Sequence, residues 1–582
     1  MAFQSLPSTL LAALLASSLD SVLAACNIPP NPQPQNGHDC RCFPGDSCWP
    51  TLAEWSSLNS TVGGRLVATV PIAASCHKSN LASYDAEACQ SLRDVWWFPE
   101  THVGTSSSPM APFFANASCD PFTAPTDQCV IGAYVQYAIK AASVADYQVT
   151  LAFATEKNIR LVIRNTGHDY FGKSTGAGAL ALWTHSLKDT ESIDNYQSET
   201  YTGKALKLGA GISTLEAYQA ADKAGAAIVG GSCATVGIAG GYSQGGGHGP
   251  LNSVFGLGAN QVLEWEVVTA RGQHLIASPT ENSDLYWALS GGGGGTYAAT
   301  ISVTVRAHQL TKVSAAALNF TTSANVSTDL FNDAVKTFLL TLPALGEGGT
   351  WTAWLLASGV FSLAPIVGPN LDNEQLRALL EPTLSFLDKN GIAYNYQIQQ
   401  YDTLLETYTG MFPDNNITEY NIGGRLIPKS LLESKSSAAS LLDALNFITS
   451  QGGAVSGSSM DVSKFPSIGI NNSVNPVWRS AILDLVIGLS YDAYDFQANF
   501  ALQNQMTNTI LPRLEVLTPD GGVYLNEGDF RDPDWQTNFY GENYEKLLSI
   551  KDKYDPEGLF YGLTAVGSDR WIVQSDGRLC RT

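Results

Sequence analysis

Residues 164–176 read RNTGHDYFGKSTG, a polar, turn-forming stretch with glycines at 167, 172 and 176 and one histidine, His168, between Gly167 and Asp169. The run before it, IRLVI (159–163), is short, apolar and continuous, the pattern of a buried strand, so the loop leaves a strand end. Upstream, VADYQVTLAFATEKN (144–158) has helical spacing with Val149, Ala152 and Phe153 on one face. Downstream, KALKLGAGISTLEAYQAADKAG (204–225) predicts a strand, a Gly-x-Gly turn and a helix entered through Thr214, and AAIVGG (226–231) predicts the next strand. QVLEWEVVTARGQHLIA (261–277) predicts two strands joined at Arg271-Gly272, DLYWAL (284–289) a short helix, and TISVTVR (300–306) a strand. From residue 130 the chain thus alternates α and β.

Three glycine-rich loops end these elements: 164–176, GGSCATVGIAGGYSQGGGHG (230–249) and GGGGG (291–295). Lying within ~130 residues of one another, they can converge on one ligand. Glycine lets backbone N–H groups approach a pyrophosphate because no Cβ intervenes. The usual fingerprints are absent. GAGIST half fits G-x-G-x-x-G with no acidic residue ending a second strand, and neither a phosphate-binding G-x-x-x-x-G-K-[ST] nor a G-x-S-x-G elbow occurs. What remains is a dinucleotide cradle of another kind.

The chain of 582 residues is long enough for several domains and a large core. With 53 acidic against 32 basic residues, its net charge of -21 repels nucleic acid and anionic membranes, and a small neutral or cationic substrate is compatible with it. Residues 1–25, with an apolar stretch from Leu10 to Leu19 and small residues at Ala24 and Ala25, resemble a cleaved secretory signal, and six Asn-x-Ser/Thr sequons fit an extracellular glycoprotein. A monomer is expected. Eight of the ten cysteines precede residue 130. Such density suits a disulfide-stapled extension in an oxidising compartment. Plausible close pairs are 42 with 48, 76 with 89 and 119 with 129, and Cys40 could reach Cys580, although spacing does not decide connectivity. No C-x2-C with a following histidine pair occurs, so no metal is expected. Cys233 stands alone in the second glycine loop, where a buried structural thiol is the plain alternative to a function.

Four stretches, RNTGHDYFGKSTG, GGSCATVGIAGGYSQGGGHGPLNSVFGLGANQVLEWEVVTARG (230–272), DLYWALSGGGGGTY (284–297) and YGENYEKLLSIKDKYDPEGLF (540–560), resemble in order and spacing the FAD-linked oxidoreductases of the vanillyl-alcohol-oxidase superfamily. Among these, the berberine-bridge-enzyme-like branch and its secreted fungal members are the most similar. The resemblance implies an α+β fold. A disulfide-rich extension (26–114) would precede a PCMH-type FAD-binding domain (115–310). A substrate domain with an antiparallel sheet flanked by helices (311–529) and a C-terminal segment (530–582) returning to the FAD domain would follow.

It also implies that FAD is held by two covalent bonds, from His168 to the flavin 8α carbon and from Cys233 to C6, so His168 needs no second ligand. Cys26 would then remain unpaired. Arg164, Asn165, Thr166 and Gly167 would line the pyrophosphate, and Asp169, Gly172 and Ser174 of the same loop would also bind the cofactor. Gly237, Gly240, Gly241, Gly246 and Gly247 would form the second loop, Ile301 and Val303 would touch the flavin through backbone, and Asn543 would return to the cofactor. Val236 matches a small gate residue that admits oxygen, which favours an oxidase. Two positions depart from the pattern: Gly241 stands where many members carry histidine, and Glu527, in YLNEGD, stands at a catalytic tyrosine position. A carboxylate there can still accept a proton. The implied reaction is oxidation of a C–OH or C–NH group, with a base within hydrogen-bond reach of the heteroatom proton. Glu527 is the first candidate, Tyr540 and Tyr524 the next; His248 is read as structural. The substrate class spans carbohydrates, alcohols and secondary metabolites. A dehydrogenase using another acceptor, or a secreted binding protein with a degenerate flavin site, are the alternatives.

Overall fold

The computed structural model describes residues 40–414, 416–417, 420–465 and 471–582. The expected leader (1–25) and Cys26 lie outside them. Strands β1 (Leu66–Ala68), β2 (Tyr137–Lys140), β3 (Leu161–Arg164) and β4 (Leu180–Trp183) form a four-stranded sheet in the order β1-β2-β4-β3. The β2-β4 and β3-β4 pairs are parallel. β1, from the cysteine-rich extension, closes its edge against β2. Strands β5 (Thr190–Gln197), β6 (Thr202–Gly209), β7 (Val262–Thr269), β8 (His274–Ala277) and β9 (Ala298–Arg306) form an antiparallel sheet in the order β5-β6-β9-β7-β8.

Helix Val144–Glu156, capped by Ser143, joins the two sheets. Its residues Tyr147, Leu151 and Ala154, at helical spacing, bury against Leu161 and Leu182 of the first sheet and Val268 and Ala299 of the second. The Tyr147 hydroxyl donates to Thr300 O at 2.9 Å. Helix Thr214–Lys223 starts as expected, with a capping box between Ser213 and Glu216. AAIVGG is not a strand: only Ala227 pairs, in a single bridge with His308, while Ile228 and Val229 sink into the core. Apolar runs of this length look alike whether they pair or not.

Strands β10 (Val313–Thr321), β11 (Trp351–Ala357), β12 (Val360–Pro369), β13 (Tyr394–Tyr401), β14 (Tyr420–Pro428), β15 (Gly453–Ser459) and β16 (Ala481–Ser490) form a seven-stranded antiparallel sheet, ordered β13-β10-β12-β11-β15-β16-β14. Helices Thr328–Glu347, Asn373–Lys389 and Lys435–Ser450 cover one face. On β10, Ala316, Leu318 and Phe320 point to these helices, whereas Val313 and Ala315 point to the opposite face, as the two-residue period of a strand requires. That opposite face meets Leu257, Ala259 and Tyr524 in a separate core layer.

The C-terminal segment crosses back. Lys551, buried, donates to Thr296 O (2.7 Å), Phe560 O (2.6 Å) and Asp555 Oδ2 (2.6 Å), tying helix Tyr544–Tyr554 to the end of the 291–295 glycine loop. Disulfides join Cys40–Cys580, Cys42–Cys48, Cys76–Cys89 and Cys119–Cys129, which is the pairing set out above as plausible. Cys233 is the free cysteine among the described residues.

Candidate active site

Between the two sheets of the first half and the open face of the third lie two adjoining cavities of about 160 and 110 Å³. They share Asn165, Asp169, Lys173, Ser174, Gly240, Gly241 and Asn526, and so form one bent cleft.

The first wall is the loop after β3. Asp169 shapes it: its carboxylate accepts the backbone N–H of Phe171 (3.0 Å), Lys173 (2.7 Å) and Ser174 (2.9 Å). Gly167 turns at φ +83°, and a Cβ there would lie 2.6 Å from the Arg164 guanidinium. His168 faces the cleft, and its Nε2 is buried without a protein partner. Burial lowers its pKa to about 4, leaving the imidazole neutral.

The second wall is the 230–249 loop. Gly237 packs on Asn165, where a Cβ would meet Oδ1 at 2.6 Å, and Gly294 comes within 3.0 Å of Gly241 Cα by the same measure. The groove survives because these residues lack side chains. Cys233 and Val236 line the cleft beside it. Burial, then the Glu527 charge, hold the Cys233 thiol up at about 11.

The third wall comes from the seven-stranded sheet and the segment lying on it. Leu426 N of β14 donates to Gly522 O at 2.8 Å, and Gly424 lets this segment settle, since a Cβ there would strike Glu527 O at 2.4 Å. Asn526 donates to Gly241 O and to the Tyr524 hydroxyl, both at 2.8 Å. Glu527 Oε1 accepts from His248 Nε2 at 3.2 Å, and Asp484 Oδ2, from β16, lies 3.7 Å from the same nitrogen. Asp484 is 1% exposed. Burial, then repulsion from Glu527, drives its pKa well up. Burial would lower the His248 pKa, but Glu527 and Asp484 outweigh it and raise the value to about 9.

Of the residues singled out in the sequence, Asn165, Thr166, Gly167, His168, Asp169, Ser174, Cys233, Val236, Gly237, Gly240, Gly241, Tyr524 and Glu527 line the cleft together. Others do not. Arg164 turns away, donating to Thr105 O (3.0 Å), His102 O (3.1 Å) and Ser108 O (2.7 Å), so it braces the loop from behind. Gly172 packs on the Phe114 ring and Gly247 on the Tyr242 ring, while Gly246, at φ +123°, is a turn residue. None of the three lines either cavity. Ile301 O accepts from Ala210 N, Val303 is paired on both sides within β9, and Ala298 and Thr300 of that strand line the cavity instead. Asn543 donates to Ser473 O (3.2 Å) and Val474 O (3.3 Å), pinning that loop. Tyr540, 1% exposed, donates to Thr564 O at 2.9 Å and belongs to the core. Conversely, His248 is at the site, not merely structural. Lys173, Asn526 and Asp484 were missed; a lone aspartate in the apolar run AILDLVIGLS (481–490) was the available signal.

The cleft suits a long, flat dinucleotide. Its groove closes if glycines gain side chains, and the buried Asn165 Oδ1, His168 Nε2 and Gln244 Oε1 lack protein partners. Fold and site together define an FAD-dependent oxidoreductase with a PCMH-type two-part binding domain. The FAD binding domain family matches residues 135–278, and the berberine and berberine-like family matches residues 523–566. FAD-linked oxidoreductase sor8 of Hypocrea jecorina (strain QM6a) is 48% identical over 546 residues, covering 93% of this chain and 93% of the relative. The VAO-type flavoprotein oxidase VAO615 of Thermothelomyces thermophilus is 43% identical over 552 residues, covering 93% and 95%. The crystal structure of the VAO-type flavoprotein MtVAO615 from Myceliophthora thermophila C1 superposes with a TM-score of 0.89 at 42% identity, covering 93% of this chain and 100% of that one. The chain belongs to the VAO-type, berberine-bridge-enzyme-like family of FAD-linked oxidoreductases.

Proposed function

We propose that the protein is a secreted, monomeric oxidase that converts a C–OH or C–NH group of a small organic substrate to the carbonyl or imine, with oxygen as the acceptor and hydrogen peroxide as the second product. The substrate class is a carbohydrate, an alcohol or a secondary metabolite. The observation that carries this reading is the Glu527–His248–Asp484 cluster opening on the same cavity as His168 and Cys233. When bound, FAD supplies the two-electron acceptor for the C–H bond beside the heteroatom. His168 from the first wall and Cys233 from the second would anchor it covalently, with Asn165, Gly237, Gly240 and Gly241 along its linker. Glu527 Oε1 is the base that takes the heteroatom proton. His248, protonated at neutral pH beside Glu527, holds that carboxylate in place, and the buried Asp484 carboxyl lies 3.7 Å behind the same His248 nitrogen. Tyr524, whose ring stands edge-on to His248 with centroids 5.3 Å apart, walls the substrate side. Val236, small and on the cleft, leaves room for oxygen. The disulfides and sequons support an extracellular setting.

The test is direct. Acid-precipitated protein should stay yellow, the tryptic peptides containing His168 and Cys233 should be recovered joined to each other through a single flavin, and an oxygen-uptake screen across sugars, alcohols and phenolic compounds should yield peroxide stoichiometrically. Flavin released into the supernatant would sink the covalent reading, and turnover only with an artificial acceptor would sink the oxidase.

A further inference from the structure

Lys173 is the single lysine or arginine among the described residues lining either cavity, and it lines both. Every other residue of the second cavity is neutral except Asp169. That carboxylate is already committed to three backbone N–H groups of its own loop. Lys173 makes no ion pair among the described residues; its Nζ stands 5.2 Å from the Phe171 ring centroid. Desolvation draws its pKa down to about 8, against the pull of Asp169, as expected of a cation held in a cleft without a close counter-charge. The first cavity contains His168 and Cys233, which places the isoalloxazine end there; the second continues to Gly294, Gly295 and Thr300. The residues common to both therefore flank the linker between ring and adenosine, the part of FAD that carries two phosphate charges.

We propose that the Lys173 ammonium is the counter-cation of the FAD diphosphate and sets how fast the chain captures its cofactor. The inference rests on reading the cleft as an FAD site. Backbone N–H groups of the glycine loops supply hydrogen bonds, but of the residues common to both cavities Lys173 alone supplies a full positive charge. Charge-assisted contacts to phosphate are about twice as strong as neutral ones, and in a water-poor cleft they are screened little by salt.

The experiment uses flavin-free full-length protein from riboflavin-starved cells and follows uptake of FAD at sub-saturating concentration by absorbance. Lys173→Met should slow capture roughly tenfold or more, and Lys173→Arg should restore it. The flavin midpoint potential and the thermal unfolding of flavin-free protein should match the parent in both variants. Should Lys173→Met fold poorly, Lys173→Gln takes its place. Parental capture rates in the neutral variant would overturn the proposal. So would a lowered midpoint potential at parental capture rates, which would put the charge beside the ring, or failure of Arg to rescue, which would make the role one of shape. A colourless parent protein would instead sink the FAD reading, independently of Lys173.

Discussion

His248 Nε2 lies 3.2 Å from Glu527 Oε1 although 279 positions separate them, one in a glycine loop of the FAD-binding half and the other on a segment laid across β14. The pair joins the two halves of the molecule where both side chains line the cleft. Glu527→Gln keeps the side-chain volume but removes the base. It should lower kcat by roughly 10²- to 10⁴-fold with flavin content unchanged, measured by peroxide production on any substrate found active. Wild-type turnover would remove Glu527 from the mechanism.

The raised pKa of His248 has a stability signature. Its unfolded value of 6.5 rises to about 9 in the fold. The stabilisation is therefore fully present below about pH 6.5 and is lost as pH climbs through about 9, an effect on the order of 3 kcal/mol for a group so nearly buried. Urea melts of the parent and His248→Gln should differ most near pH 6 and converge by about pH 10. A gap that widens with pH would contradict the charge assignment.

Cys233 is shifted the same way: its thiol is raised to about 11 by burial and Glu527, so the nucleophilic thiolate is scarce at neutral pH. In flavin-free protein, alkylation of Cys233 by iodoacetamide should be slow at pH 7 and quicken roughly tenfold per pH unit up to about 10. Glu527→Gln should make it faster at every pH. A fast, pH-independent reaction would refute the raised thiol pKa.

Arg164 makes three hydrogen bonds to carbonyls of the 102–108 loop while fully buried, and Gly167 turns against it. Arg164→Met should leave Thr105 O and Ser108 O unpaired, His102 O keeping Thr105 N–H and Oγ1, and cost about 2–4 kcal/mol of stability, with flavin loading falling alongside. Full loading at reduced stability would show that the 164–176 loop keeps its shape without the brace.

Two tyrosines are separated by the same logic. Tyr540→Phe should leave turnover unchanged and cost about 1–2 kcal/mol, because Thr564 O loses its buried donor. Tyr524→Phe removes a hydroxyl that receives Asn526 Nδ2 beside the cleft and should alter KM or kcat. Equal kinetic effects from both would contradict the placement of Tyr540 in the core.

What the chain's order of residues settled by itself was local. Strand ends, caps and glycine turns depend on neighbours a few positions apart, so the loops at 164–176, 230–249 and 291–295, the capped helices and the resemblance to FAD-linked oxidoreductases were all legible, as was Glu527. AAIVGG failed because burial without pairing reads like a strand. Arg164, Tyr540 and Asn543 sit in the recognised stretches and Val303 in the strand that follows one, yet their side chains or ladders point into the protein; motif position says nothing of direction.

Only the tertiary structure decided which polar groups share the cleft. Asp484 reaches His248 because alternate residues of β16 face opposite ways and Asp484 falls on the open face, while Leu483 and Leu485 fall on the helix side. His248, Asp484 and Glu527 gain their chemistry from burial beside one another, and that energy arises between residues far apart in the chain, where no local pattern records it.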